Sequence, residues 1–170
     1  MTGPVVRFLA RHRVRIGFAA AALALWLATP TPASLAAGAA IAMAGEALRI
    51  WAAGHLEKGR EVTASGPYRL TRHPLYVGSA IIGAGFALAS ASWLTAALIV
   101  IYLVITLTSA IRSEERHLTE KFGPAYPEYR EGRAPEVARR FSLTRVFANR
   151  EYRAVAGLGF ALALLALKLL

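Results

Sequence analysis

Five side chains that can bind or polarise a small polar ligand fall within one short stretch, Gly66 to Gly78, which reads GPYRLTRHPLYVG. Tyr68 and Tyr76 supply phenols, Arg69 and Arg72 guanidiniums, and His73 an imidazole. Pro67 and Pro74 lack an N–H and push the residue before each, His73 among them, toward extended geometry. The stretch is therefore a shaped loop between two hydrophobic segments. Two uses are open for this density of polar chemistry at a membrane boundary: a pocket for a small polar ligand, or an interfacial anchor of Tyr and Arg at headgroup level.

A second group follows a hydrophobic interval. Glu114 and Glu115 are adjacent acids at the end of an apolar helix, where helix dipole and mutual repulsion both disfavour them. They call for a cationic partner, which Arg112, Arg116 or a ligand bearing an amino or sulfonium group would supply; a solvated charge run is the plainer alternative. Beyond them Phe122, Tyr126 and Tyr129 repeat at spacings of four and three within KFGPAYPEYR. These aromatics serve equally as packing for an interfacial helix or as a pocket roof. Tyr126 and Tyr129, with Arg133 downstream, are the candidates for the substrate side. His55 and His117 are ambiguous, and four dispersed His with no Asp and no Cys give no metal-ligand spacing. No glycine-rich phosphate loop and no serine elbow occurs.

The elements that must hold these residues are set by composition. Of 170 residues, 56% are hydrophobic, the mean hydropathy is +0.44, and the apolar residues come in blocks, so the fold class is an all-α integral membrane helical bundle. The absence of Cys excludes disulfides and thiolate nucleophiles. A net charge of +10 raises nucleic acid as a partner, but the Lys and Arg flank apolar blocks without any nucleic-acid motif, which favours membrane orientation instead.

In order, Arg7, Arg11, Arg13 and Arg15 precede the apolar run 16–28, read as a retained first membrane helix; a cleaved signal peptide is the alternative. TPTPAS at 29–34 is a turn, and a second helix covers 35–53. In it Gly38, Ala42 and Gly45 form a small-residue face for helix packing, and Glu46 and Arg49, three apart, can pair. A third segment covers 75–89 and a fourth 93–109, joined as a hairpin through Ser90 to Ser92. The third, ~22 Å long, is short of a ~30 Å hydrocarbon core. A basic polar stretch, 111–153, reads as a miniature cytoplasmic domain, and 154–170 is a last apolar helix. The basic residues collect at the N-terminus, after the second helix and after the fourth, so the positive-inside rule gives five crossings with the N-terminus and the polar loops cytoplasmic. Only Lys168 falls outside that pattern. Both polar groups then lie on one membrane face.

The ordered pair, GPYRLTRHPLYVGS and then EERHLTEKFGPAYPEYR after a hydrophobic hairpin, resembles the membrane methyltransferase family that includes isoprenylcysteine carboxyl methyltransferases and phospholipid methyltransferases. The resemblance covers residues 53–135, within a single domain of 1–170 whose basic segment and last helix occupy 136–170. It implies S-adenosylmethionine as cofactor, bound in a cytoplasmic pocket built from helix ends and loops. It further implies that Tyr68, His73, Pro74, Leu75 and Tyr76 line the cofactor, that Val62 and Thr63 contribute from the preceding loop, and that Glu114 holds the cofactor's polar end. Two departures stand out. A GxG of the phospholipid enzymes is half present as Met43, Ala44, Gly45, and a substrate-side arginine of the isoprenylcysteine enzymes is replaced by Ala110, leaving Arg112 as a substitute from another helical face.

The expected function is methyl transfer to a lipophilic or lipidated acceptor, a carboxylate or a phospholipid amine, with Glu115 and Arg112 as catalytic candidates; membrane lipids are partners, and nucleic acid and metal are not. A sulfonium methyl needs alignment and a dry site more than a protein nucleophile, and an ammonium acceptor also needs a base, for which Glu115 or a Tyr is available. Two rivals remain: an NADPH-dependent membrane reductase of the sterol reductase type, which carries a similar RHPxY loop but tends to show Asp, Cys and KYGxxW where this chain has its glutamate pair and KFGPAY, and a non-enzymatic protein whose basic segment binds anionic lipid.

Overall fold

In a computed structural model the described residues are 17–133 and 138–170; the basic residues at 7–15 and the retained-or-cleaved question lie outside them. Among the described residues every regular element is a helix. These are α1 (Gly17–Leu27), α2 (Pro32–His55), a 3₁₀ turn (Gly66–Arg69), α3 (Pro74–Ala89), α4 (Trp93–Phe122), α5 (Ala125–Arg130), α6 (Leu143–Ala148) and α7 (Tyr152–Leu167). The helices α2 and α4 are long and apolar enough to cross a membrane; α1, α3 and α7 are apolar but shorter.

Local chemistry explains the boundaries. Thr31 and Ser34 form a reciprocal capping box at the start of α2, with Pro32 in the first turn where its missing N–H costs nothing. Ser92 caps α4 through Thr95 N at 3.3 Å, and the hairpin between α3 and α4 turns at Ala91, φ 47°.

The tightest helix pair is α2 with α3, and its glycines are the reason. A Cβ added at Gly38 would sit 2.4 Å from the Gly85 carbonyl, and one at Gly45 would sit 2.7 Å from that of Gly78. The two backbones are in contact, so the small-residue face is a packing face. Where this pair meets α7, Arg49 ties three helices together. Its Nε lies 2.7 Å from Glu151 and 3.6 Å from Glu46, while Nη1 donates to Ser79 Oγ at 2.5 Å and to the Leu75 carbonyl at 3.3 Å. The expected Glu46–Arg49 pair is present, but the stronger partner is Glu151, from the far end of the sequence.

The expected end of the fourth helix, Ser109, is corrected. α4 continues unbroken to Phe122 and is 30 residues long, ~45 Å against a hydrocarbon core of ~30 Å. Arg, Glu, Leu and Lys are as good helix formers as the apolar residues before them, and the first breakers are Gly123, at φ 53°, and Pro124. Part of the expected cytoplasmic domain is thus a stalk on α4. Another part, residues 138–150, folds back as a cap on α2. Arg145 Nε donates to the Gly54 carbonyl at 2.7 Å, Asn149 Nδ2 to those of Ala53 and Leu56 at 2.9 and 3.0 Å, and Arg139 to that of His55 at 3.3 Å. These are the terminal carbonyls that a helix leaves without internal partners.

Lys168, the one exception to the charge pattern, has a similar role at the opposite end. Its Nζ donates to the carbonyls of Leu25 and Trp26 at 2.9 and 2.8 Å, and to that of Ala28. A cation closes the C-terminus of α1, where the helix dipole favours it.

Candidate functional site

The loop after α2 is anchored beneath by His55. Gly66 takes φ 56° directly over its ring, where a Cβ would fall 2.6 Å from the imidazole carbons; this is a position only glycine fills. Ser65 Oγ lies 3.3 Å from His55 Nδ1, and the ring is buried. His55 is therefore a structural support. The 3₁₀ turn buries Pro67 and Tyr68, and His73 precedes Pro74 in a non-helical conformation, φ −132°, ψ 57°, before the chain enters α3. The two prolines open the turn and the helix, but the extended geometry expected before each is not met at Pro67, where Gly66 takes the left-handed φ of 56° that glycine allows.

The α4 stalk brings the glutamates to this loop. His73 Nε2 is 3.1 Å from Glu115 Oε1 and His73 Nδ1 is 4.0 Å from Glu114 Oε2. Arg72 Nη1 donates to the same Glu115 oxygen at 3.3 Å. In the charged stalk, beyond the apolar part of α4, the His73 hydrogen bond, assisted by Arg72, holds the Glu115 carboxyl below its usual range against the partial burial that opposes it. Glu114 is differently placed. Its side chain is 43% exposed, the Tyr76 hydroxyl is turned toward it, and its charge bears on the buried phenol of Tyr68. Burial, then Glu114, Tyr129 and Glu151, push the Tyr68 hydroxyl pKa well up.

The short helix α5 closes the other side. Tyr129 donates to the Tyr68 carbonyl at 2.7 Å. Tyr126 is buried beside it with ring centroids 6.2 Å apart, and its hydroxyl faces Glu115 but completes no hydrogen bond. Burial pushes both phenols up to about 12, with the Glu115 charge adding at Tyr126. Both stay protonated donors in neutral solution.

The arrangement suits a ligand with a cationic end. It has a carboxylate with an open side, phenols around it, and a buried Tyr126 hydroxyl that faces Glu115 but completes no hydrogen bond among the described residues.

Of the residues singled out in the sequence, Tyr68, His73, Tyr76, Glu114, Glu115, Tyr126 and Tyr129 converge here. Pro74 is buried at the base. The Leu75 carbonyl is taken by Arg49 and Ser79 on the opposite side of α3. Thr63 is buried and accepts a hydrogen bond from Glu57 N at 3.2 Å, which fixes the loop rather than facing the glutamates; Val62 is half-buried next to it. Arg112 and Arg133 do not join. Arg112 is exposed, two residues before Glu114 and so roughly 200° around the helix, and Arg133 is exposed and pairs with Glu131. His117 is also exposed.

Glu115 takes its partners not from Arg112 or Arg116 but from the consecutive Arg72 and His73, and their side-by-side position in the loop is the signal that could have identified them. Among the described residues no three His or Glu side chains gather to hold a metal ion.

A family model described as phospholipid methyltransferase matches residues 13–125. The chain is 33% identical over 99 residues to the cobalt-zinc-cadmium resistance protein CzcN of Cupriavidus metallidurans, covering 57% of this chain and 45% of that protein. It is 32% identical over 99 residues to the nickel-cobalt-cadmium resistance protein NccN of Alcaligenes xylosoxydans xylosoxydans, covering 57% and 46%. The aligned part spans less than half the length of either curated relative. No solved structure matches.

Proposed function

The chain belongs to the phospholipid methyltransferase family, and from that premise we propose that it transfers a methyl group from S-adenosylmethionine to a lipophilic acceptor at a membrane. The observation that carries this reading is the meeting of the loop with α4: His73 lies 3.1 Å from Glu115 and 4.0 Å from Glu114, with Tyr76 turned toward the latter. A membrane anchor needs aromatics and arginines at the headgroup level, but it does not need two carboxylates folded back onto the imidazole between them.

Each residue has a task. Glu114, with the phenols of Tyr68 and Tyr76, receives the cationic end of the cofactor through a charge-assisted hydrogen bond. Glu115 holds His73 and Arg72, and through them the loop; a carboxylate already stabilised as the anion is a weak base. Tyr126 and Tyr129 exclude water from above and face the acceptor, and Arg133, further out, meets its polar head. When bound, S-adenosylmethionine supplies a methyl group already activated on sulfur. The protein's contribution is then alignment and a dry site.

In this reading α1, α2, α3, α4 and α7 all cross the bilayer, with the N-terminus and the site on the cytoplasmic side. The lipid part of the acceptor, whether it ends in a carboxylate or an amine, arrives from the bilayer. Calorimetry on the purified chain with S-adenosylhomocysteine should give a micromolar or tighter Kd, roughly −8 kcal/mol or more favourable. Binding of NADPH instead would assign the site to a reductase, and binding of neither would leave a lipid-binding protein.

A further inference from the structure

Residues 138–153 use one face to close the end of α2 and leave the other bare. Arg139, Arg145 and Asn149 point inward to the carbonyls of α2. Phe141 also turns inward, its ring against Gly54 and 6.4 Å from that of His55. On the outside Leu143, Phe147 and Tyr152 are 62, 63 and 47% exposed. Beside them in sequence stand Arg140, Arg150 and Arg153, all exposed and none with a carboxylate partner among the described residues.

The chain turns from α6 into α7 through Arg150 at φ 60°. Phe147 and Tyr152 stack across that turn, ring centroids 6.3 Å apart, and the Arg153 guanidinium lies 5.9 Å from the Tyr152 ring. The patch is therefore one surface and not scattered side chains. It also continues into the exposed apolar flank of α7, where Val155 and Phe160 are 45 and 68% exposed. Water satisfies the guanidiniums but not the rings, and a neutral hydrocarbon does the reverse. A lipid monolayer with negative headgroups accepts both, the rings at the acyl boundary and the guanidiniums among the phosphates.

We propose that the outward face of residues 138–153 is a docking surface for anionic phospholipid, with Arg140, Arg150 and Arg153 binding headgroup phosphates and Leu143 and Phe147 inserting beside them. Because these residues also cap α2, lipid held here braces the end of the helix from which the candidate site's loop departs. The surface does not depend on the methyl-transfer reading, and its test reads lipid alone.

The purified full chain is equilibrated in mixed micelles of equimolar phosphatidylglycerol and phosphatidylcholine, and retained lipid is quantified by mass spectrometry. The parent should retain phosphatidylglycerol preferentially, and raising sodium chloride from 50 to 500 mM (roughly threefold shorter screening length) should erase the preference. The triple variant R140Q/R150Q/R153Q should lose at least about 5-fold of that preference, the factor expected for a single arginine at an anionic surface. L143S/F147S should retain less of both lipids. Helix content and unfolding midpoint check each variant; if the triple variant is misfolded, R140Q alone and the salt response of the parent decide. No preference in the parent, a preference unchanged in the arginine variants, or a parent dimer that L143S/F147S dissolves would overturn the proposal, the last by assigning the surface to a second copy.

Discussion

Glu114 and Glu115 have the same side chain, one residue apart, and the structure gives them different surroundings. Glu115 is bound by His73 and Arg72, whereas Glu114, among the described residues, has only the His73 ring near it as an ion-pair partner, at 4.0 Å. Adjacent helical residues point about 100° apart, so one acid holds the loop and the other faces the pocket. Glu114→Gln keeps the shape and removes the charge. A charge-assisted hydrogen bond of ~1.5 to 3 kcal/mol then corresponds to about 10-fold to 150-fold weaker S-adenosylhomocysteine binding by calorimetry. Glu115→Gln should cost less affinity, and a larger loss there would reverse the assignment.

Glu115 also sets an acid limit. Its folded pKa lies below the usual 4.5, so its contribution to stability is complete above that value and is lost as pH falls through the lower folded value. Thermal unfolding followed from pH 6 to pH 3 should show the parent losing more stability than Glu115→Gln below about pH 4.5; parallel curves would show that Glu115 does not hold the loop. The glutamate pair and the RHPLY loop are legible in sequence because both are short and local. The division of labour between the acids is not, because it depends on which one Arg72 and His73 reach across a gap of more than forty residues.

Among the elements, α2 and α3 form the frame on which the site hangs, since the loop leaves one and enters the other. Their contact is backbone on backbone at Gly38 and Gly85, where an added Cβ has no flexible atom to displace. Gly38→Ala should therefore destabilise the bundle by ~1 to 3 kcal/mol, the usual range for overpacking. Gly157 in α7 has nothing within 4 Å of the equivalent position, and Gly157→Ala should be neutral or slightly stabilising by helix propensity. Unfolding midpoints in one detergent compare the two, and equal shifts would contradict the packing argument. The starts of α3 and α4 were readable because Pro74 and Ser92 punctuate them; that of α2 lies three residues before the expected 35, because Pro32, which opens the helix, reads equally as part of the turn TPTPAS. The end of α4 was not, because hydropathy changes at residue 110 while helix propensity does not.

At the scale of the whole molecule, the N-terminus of α7 meets α2 through Glu151 and Arg49, and its C-terminus meets the end of α1 through Lys168. The last helix therefore ties both ends of the bundle, and one end gathers the loop, the glutamates and α5. The all-helical class was evident from composition, whereas these ties join residues more than a hundred positions apart and leave no trace in local pattern. The central claim is that S-adenosylmethionine binds at the end where loop and stalk meet. Ultraviolet crosslinking of methyl-tritiated S-adenosylmethionine to the vesicle-reconstituted chain, followed by peptide mapping, tests it most directly. The account predicts label within residues 61–76 or 113–130, displaced by S-adenosylhomocysteine and not by NADPH. Label confined to residues 138–170, or label that NADPH displaces and S-adenosylhomocysteine does not, would contradict it.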